Sequence, residues 1–129
     1  MQKKSLDAVA REQLHAAHAA TSKRAAVTVF GGHEHVMRQT VIALLSGSEL
    51  AEHENPGEAT ILVLLGRVEL VVGTDRWQGR AGDLLIVPPA RHLLRAAEDC
   101  AVLLTAVPRS RPAPVSQTPH DRHRMTDTV

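Results

Sequence analysis

The chain has 129 residues and a mass of 14.0 kDa, the length of a single domain able to build its own core. Hydrophobic residues make up 43% but aromatics only 2%, so the core must be built from Leu, Val, Ile and Ala. A formal charge of +1 excludes the strong field expected of a nucleic-acid or membrane-surface binder, and a lone cysteine excludes an intrachain disulfide or a multi-thiolate metal site.

The start, Met1-Gln-Lys-Lys, is followed by no apolar run, so no signal peptide is predicted and a cytoplasmic location is expected. No stretch approaches the roughly 20 apolar residues of a membrane helix. Residues 1–24 read as a helix and a linker. Ser5 is the predicted N-cap, and Asp7 suits the positive end of the helix dipole. Leu6, Val9, Ala10, Leu14 and Ala17 form one apolar stripe that needs a partner, with His15 and His18 on a neighbouring face.

Residues 25–107 read as short strands separated by turns. The predicted strands span residues 26–30, 35–45, 50–54, 60–65, 67–72, 76–78, 83–87, 92–96 and 101–107. The turns between them carry Gly31-Gly32, Asn55-Pro56-Gly57, Gly66, Gly73, Gly82 and Pro88-Pro89. Closely spaced strands without intervening helices predict an all-β sandwich or barrel rather than a parallel sheet. Cys100 precedes the last strand, where Asp99 and Glu98 should raise its thiol pKa. Residues 108–129 carry four prolines, four arginines and almost no large apolar side chain, and are predicted to be a disordered tail.

Alternation indicates which histidines face inward. In a half-buried strand, residues two apart share a face. Glu52 and Glu54 flank His53, which assigns Ala51, His53 and Asn55 to the interior. Arg91 and Arg95 take the solvent face, which assigns His92, Leu94 and Ala96 to the interior. Glu34, Arg38 and Thr40 mark the solvent phase of the second strand, so His33, His35, Met37, Gln39 and Val41 are expected inward if that strand is continuous. Convergent neutral imidazoles bind zinc, copper, nickel or iron. A buried histidine can instead bond both ring nitrogens to protein neighbours. Gln39 and Asn55 are candidates to orient a polar ligand or cofactor, and Glu58 is either a further acid–base group or a solvated turn carboxylate.

Two segments resemble the paired motifs of the cupin family. Gly47 is followed by five residues and His53, and the segment closes at Gly66; Gly82 is followed by five residues and Pro88, and leads to His92. The resemblance covers roughly residues 36–107. It implies a small antiparallel β-barrel or jelly roll with a ligand pocket in its mouth. His53 and His92 match family metal ligands, whereas Asn55 replaces the second histidine and Ala59 occupies the glutamate position, with Glu58 one residue early. Ala90 replaces a family glycine, and His92 also arrives one residue early.

His33 and His35 are candidates to complete a divalent-metal site with His53 and His92. Cupins include dioxygenases, isomerases, decarboxylases and ligand-binding regulators, and fold does not choose among them. The expectation is a small-molecule-binding protein that holds a transition metal. The alternatives are a metal-dependent enzyme and a dimeric interaction module. A homodimer is expected, through edge strands or the helix stripe, and neither nucleic acid nor membrane is an expected partner.

Overall fold

The computed structural model describes residues 1–53 and 57–108, with only the backbone for Glu52 and His53. Asn55 and the predicted tail beyond Pro108 lie outside the described residues. One helix, α1 (Leu6–Ala19), precedes nine strands: β1 (Arg24–Phe30), β2 (Arg38–Leu44), β3 (Glu49–His53), β4 (Gly57–Leu65), β5 (Arg67–Val72), β6 (Asp75–Arg80), β7 (Leu84–Val87), β8 (His92–Ala96) and β9 (Cys100–Pro108). Each predicted strand is present. Ser5 caps α1 as expected, its hydroxyl accepting the Ala8 N–H at 3.2 Å. No helix among the described residues is long and apolar enough to cross a membrane.

All strand pairings are antiparallel. They form a five-stranded sheet in the order β1-β2-β9-β4-β7 and a four-stranded sheet in the order β3-β8-β5-β6. Register explains the core. Ile42 pairs with Val102 and Val102 with Val63, which puts one aliphatic row on the inner face of the five-stranded sheet. Leu50, Leu94, Leu70 and Trp77 form the matching row across the other sheet. These rows meet in a single cluster that includes Ile42, Val63, Leu70, Leu94 and Val102, against which Leu50 packs. Aliphatic side chains make up the whole cluster apart from Cys100, as the composition required.

The outer face of the five-stranded sheet is covered where α1 packs against β1, β2 and β9. Ala10, Ala17, Val41, Ala43 and Ala101 are fully buried, yet Val41, Ala43 and Ala101 stand outside the inter-sheet cluster. The apolar stripe of α1 therefore finds its partner within its own chain. This second apolar layer also reverses the predicted phase of β2. Ile42 and Leu44 line the barrel interior, whereas Gln39, Val41 and Ala43 take the helix side. Charge alternation misassigned the strand because both of its faces are buried. Gln39 accordingly donates its Nε2–H to Thr105 Oγ1 at 3.1 Å, on the outer face.

Two local features pin β9. Gly66 adopts φ +77°, and a Cβ there would fall 2.1 Å from the Asp99 carbonyl oxygen and 2.9 Å from Cys100 Cα. Both atoms are backbone and neither can swing aside. We expect Gly66→Ala to lower unfolding stability by about 3 kcal/mol or more, combining left-handed strain with a backbone clash. Urea unfolding followed by circular dichroism would measure the loss.

Cys100 is fully buried, and desolvation, more than the charge of Asp99, pushes its thiol up to about 11. A raised folded-state pKa means that the native protein holds the proton more tightly than the unfolded chain. Stability from this group is complete below the unfolded value near 9 and declines as pH rises toward 11. Wild type should lose between about 2 and 3 kcal/mol more than Cys100→Ala across that interval. Paired denaturation curves at several pH values would show it.

Candidate metal and ligand site at the barrel mouth

One end of the barrel gathers the residues of interest. There β2 begins at Arg38 opposite Ala106, and β9 ends at Pro108 opposite Gly57. At the same end Ala59 pairs with Val87, the last residue of β7. β8 starts at His92 and β3 ends at His53, and these two residues are direct register partners.

That pairing depends on a bulge. Leu50 pairs with Leu94, and the next recorded partners are His53 and His92. Three steps along β3 thus match two along β8, and one extra residue is accommodated. The expected inward assignment of Ala51 fails, for Ala51 is exposed while Leu50 packs on the core. Without the bulge, residue 52 would stand opposite His92.

His92 is 6% exposed and shares its phase with the buried Leu94 and Ala96, as alternation required. Its Nδ1 lies 2.9 Å from the Ala90 carbonyl oxygen. The Pro88-Pro89-Ala90 turn, closed by a 2.8 Å bond from the Ala90 N–H to the Pro88 carbonyl, presents that oxygen. A carbonyl oxygen only accepts, so Nδ1 carries the proton, and the neutral ring has its lone pair on Nε2. Backbone carbonyls commonly orient metal-binding imidazoles in this way.

His33 and His35 do not lie on a continuous strand. They are exposed in the β1–β2 connection, which closes through the His35 N–H and the Gly32 carbonyl at 3.2 Å. Gly31 has φ +114°, and a Cβ there would approach the Met37 carbonyl oxygen to 2.7 Å, so the chain turns where extension was expected. The His35 ring packs against Phe30 with centroids 4.8 Å apart. Among the described residues, no three His, Cys, Asp or Glu side chains gather as a metal site. Glu58 is exposed and shares the outer phase of β4, whereas Ala59 shares the inner phase of Ile61 and Val63.

Two mouth residues escaped the sequence reading. Thr40 shares the inner phase of Ile42, and Trp77, 46% exposed, shares the phase of buried Gly79. Alternation of Trp77 with the charged residues of β6 carried that signal. A shallow groove of about 210 Å³, lined by Arg67, Gln78, Gly79, Arg80 and Asp83, opens at the other end of the sheet, away from the histidines.

The family model described as "Cupin domain" matches residues 40–108. Among solved structures, a conserved protein of unknown function from Streptococcus pyogenes is similar at 24% identity and TM-score 0.63, covering 71% of this chain and 80% of that one. An RmlC-like cupin from Desulfovibrio desulfuricans is similar at 28% identity and TM-score 0.58, covering 66% and 82%. A Cupin 2 conserved barrel domain protein from Salinispora arenicola aligns over 81% and 87% at 19% identity and TM-score 0.59. No curated protein matches.

The His92 geometry makes a spectroscopic prediction. Long-range ¹H–¹⁵N correlation at neutral pH should show His92 as the Nδ1–H tautomer.

Proposed function

We propose, for a chain that belongs to the cupin family, that the barrel mouth binds a small molecule beside a divalent transition metal held by His53 and His92. The pairing of these two residues across β3 and β8 carries the reading. Directly opposed residues in an antiparallel pair hold their Cβ atoms about 4.5–5.5 Å apart on one face, within reach of a shared ion.

The donor chemistry fits such an ion. His92 already commits Nδ1–H to a carbonyl, which leaves Nε2 as the lone-pair nitrogen. Two imidazole nitrogens suit zinc, copper or nickel. They suit the two-histidine, one-carboxylate iron arrangement less well, because Glu58 faces outward and Ala59 holds the inner position. A metal there would act as a Lewis acid toward an oxygen of the bound molecule. Asn55, two residues beyond His53, would orient that molecule. Leu94 and Val87 supply apolar wall, with Thr40 as a polar group and Trp77 at the open edge. His33 and His35 remain at the rim in this reading, outside the ligand set.

The proposal is binding, without an assigned reaction. We place it in the cytoplasm, where the single buried thiol of Cys100 stays reduced.

Elemental analysis of untagged protein tests the site. Wild type should retain or take up Zn²⁺, Ni²⁺ or Cu²⁺ near one equivalent. His53→Ala and His92→Ala should each weaken uptake about tenfold or more while the β-sheet circular dichroism is preserved. A wild-type protein that is metal-free and resists reloading would end the metal reading.

A further inference from the structure

The outward face of the four-stranded sheet is charged, and most of that charge is paired. Arg95 bonds Glu49 at 2.8 Å and Glu69 at 3.1 Å, and Arg76 reaches Glu69 at 3.1 Å. These contacts form an ion-pair ladder satisfied within the chain. The rung at the end away from His92 breaks the pattern. There Arg67 of β5 and Arg80 of β6 are direct register partners, and both are exposed. Side chains opposed in this way stand about 4.5–5.5 Å apart at Cβ, and like charges so placed destabilise the pair.

The two guanidinium groups are unequally matched. Arg67 Nε lies 3.4 Å from Glu98 Oε2, in a pair open to solvent on both sides. Arg80 is tied through its backbone: its N–H donates to Asp83 Oδ2 at 3.0 Å, and its carbonyl accepts the Asp83 N–H at 2.8 Å. Among the described residues, the Arg80 guanidinium has no carboxylate or hydrogen-bond partner. Both arginines line the groove of about 210 Å³, together with Gln78, Gly79 and Asp83. Gln78 shares the outer phase of Arg80, so its amide stands on the same side of β6.

We infer that this groove binds a small carboxylate between Arg80 and Arg67. A carboxylate there converts a repulsive rung into a guanidinium–carboxylate–guanidinium bridge, and a planar fork matches its two oxygens. The Gln78 amide supplies a neutral donor. Charge selects a monoanion. Glu98 matches Arg67, which leaves the single charge of Arg80 to balance the ligand. A phosphate dianion would bring a second negative charge toward Asp83 and Glu98 with no further cation in the lining to offset it. The volume lies below the roughly 300 Å³ at which pockets for drug-sized ligands begin, which fits a small acid. The groove opens at the opposite end of the sheet from the histidines, so this site stands or falls independently of the mouth.

Titration of the full chain with sodium propionate at constant ionic strength, followed by ¹H–¹⁵N correlation of backbone amides and arginine Nε–H groups, tests the site. Wild type should show saturable shifts at Gly79, Arg80 and Gly82 and at both arginine Nε–H groups, with a dissociation constant of about 10 mM or tighter. Arg80→Gln and Arg67→Gln should each weaken binding about tenfold, and Arg80→Lys, which keeps the charge but loses the fork, should fall between. Unfolding in urea gives a second readout. Without propionate, Arg80→Gln should be at least as stable as wild type, because the like-charge rung is gone. Propionate should raise the midpoint of wild type more than that of Arg80→Gln. Shifts that grow linearly without saturating up to about 100 mM overturn the inference. So do saturable shifts that survive both glutamine variants, or tighter binding of inorganic phosphate than of propionate.

Discussion

Antiparallel register is the constraint on which this molecule rests. With hardly any aromatic volume available, the core must close by interdigitating Leu, Val and Ile rows from two sheets. Such rows mesh only in one phase, because a slip of one residue turns every side chain to the opposite face. β9 makes the demand strict. Its inner residues Cys100 and Val102 fill the inter-sheet core, while Ala101 and Leu103 are buried on the other side. The contact between Gly66 and the Asp99 backbone fixes where β9 begins, and β2 and β4 take their phase from it.

The mouth inherits this registry and departs from it between Thr28 and Phe30 of β1 and again in β3. β8 follows strict alternation from Ala96 to His92, whereas β3 gains a residue between Leu50 and His53. The extra residue brings His53 level with His92. A bulge beside a candidate binding site is physically reasonable, since it re-aims one side chain without disturbing the core row behind it. The Pro88-Pro89-Ala90 turn does comparable work for His92 by placing a carbonyl beside Nδ1.

Legibility in the sequence followed how much of each strand was buried. β8 was readable because one face is wet and one dry, so Arg91 and Arg95 marked its phase truly. Glu58 and Ala59 were also readable, because the phase of β4 counts back cleanly from Ile61 and Val63. β2 misled, because α1 buries the face that should have been wet; Gln39 then looked like a pocket residue although it bonds Thr105 under the helix side. The β1–β2 connection misled because Gly31 and Gly32 turn the chain before His33, which no periodicity reports. At β3 the alternation gave an incorrect phase. Ala51 was read as inward, and only the bulge reconciles an outward Ala51 with His53 opposite His92.

The two sheets thus divide their tasks. The four-stranded sheet carries His92 within and an ion-pair ladder without. Exposed ion pairs contribute little individually, but Glu69 has only 16% of its side chain exposed and accepts from both Arg76 and Arg95, which ties β5, β6 and β8 together beneath the mouth. Rigid cross-strand ties there would preserve the spacing that the proposed ligand between β3 and β8 needs. The five-stranded sheet carries the Gln39–Thr105 bond between β2 and β9 on its outer surface. It relies on α1 over β1, β2 and β9, which leaves β4 and β7 apolar and open. Among the described residues, one helix lies over a sheet five strands wide. One helix, about 10–12 Å across, spans two or three strands spaced about 4.8 Å apart. The exposed remainder at β7 therefore follows from the geometry of the fold itself, and the residues placed there determine whether it is a liability or a surface for assembly.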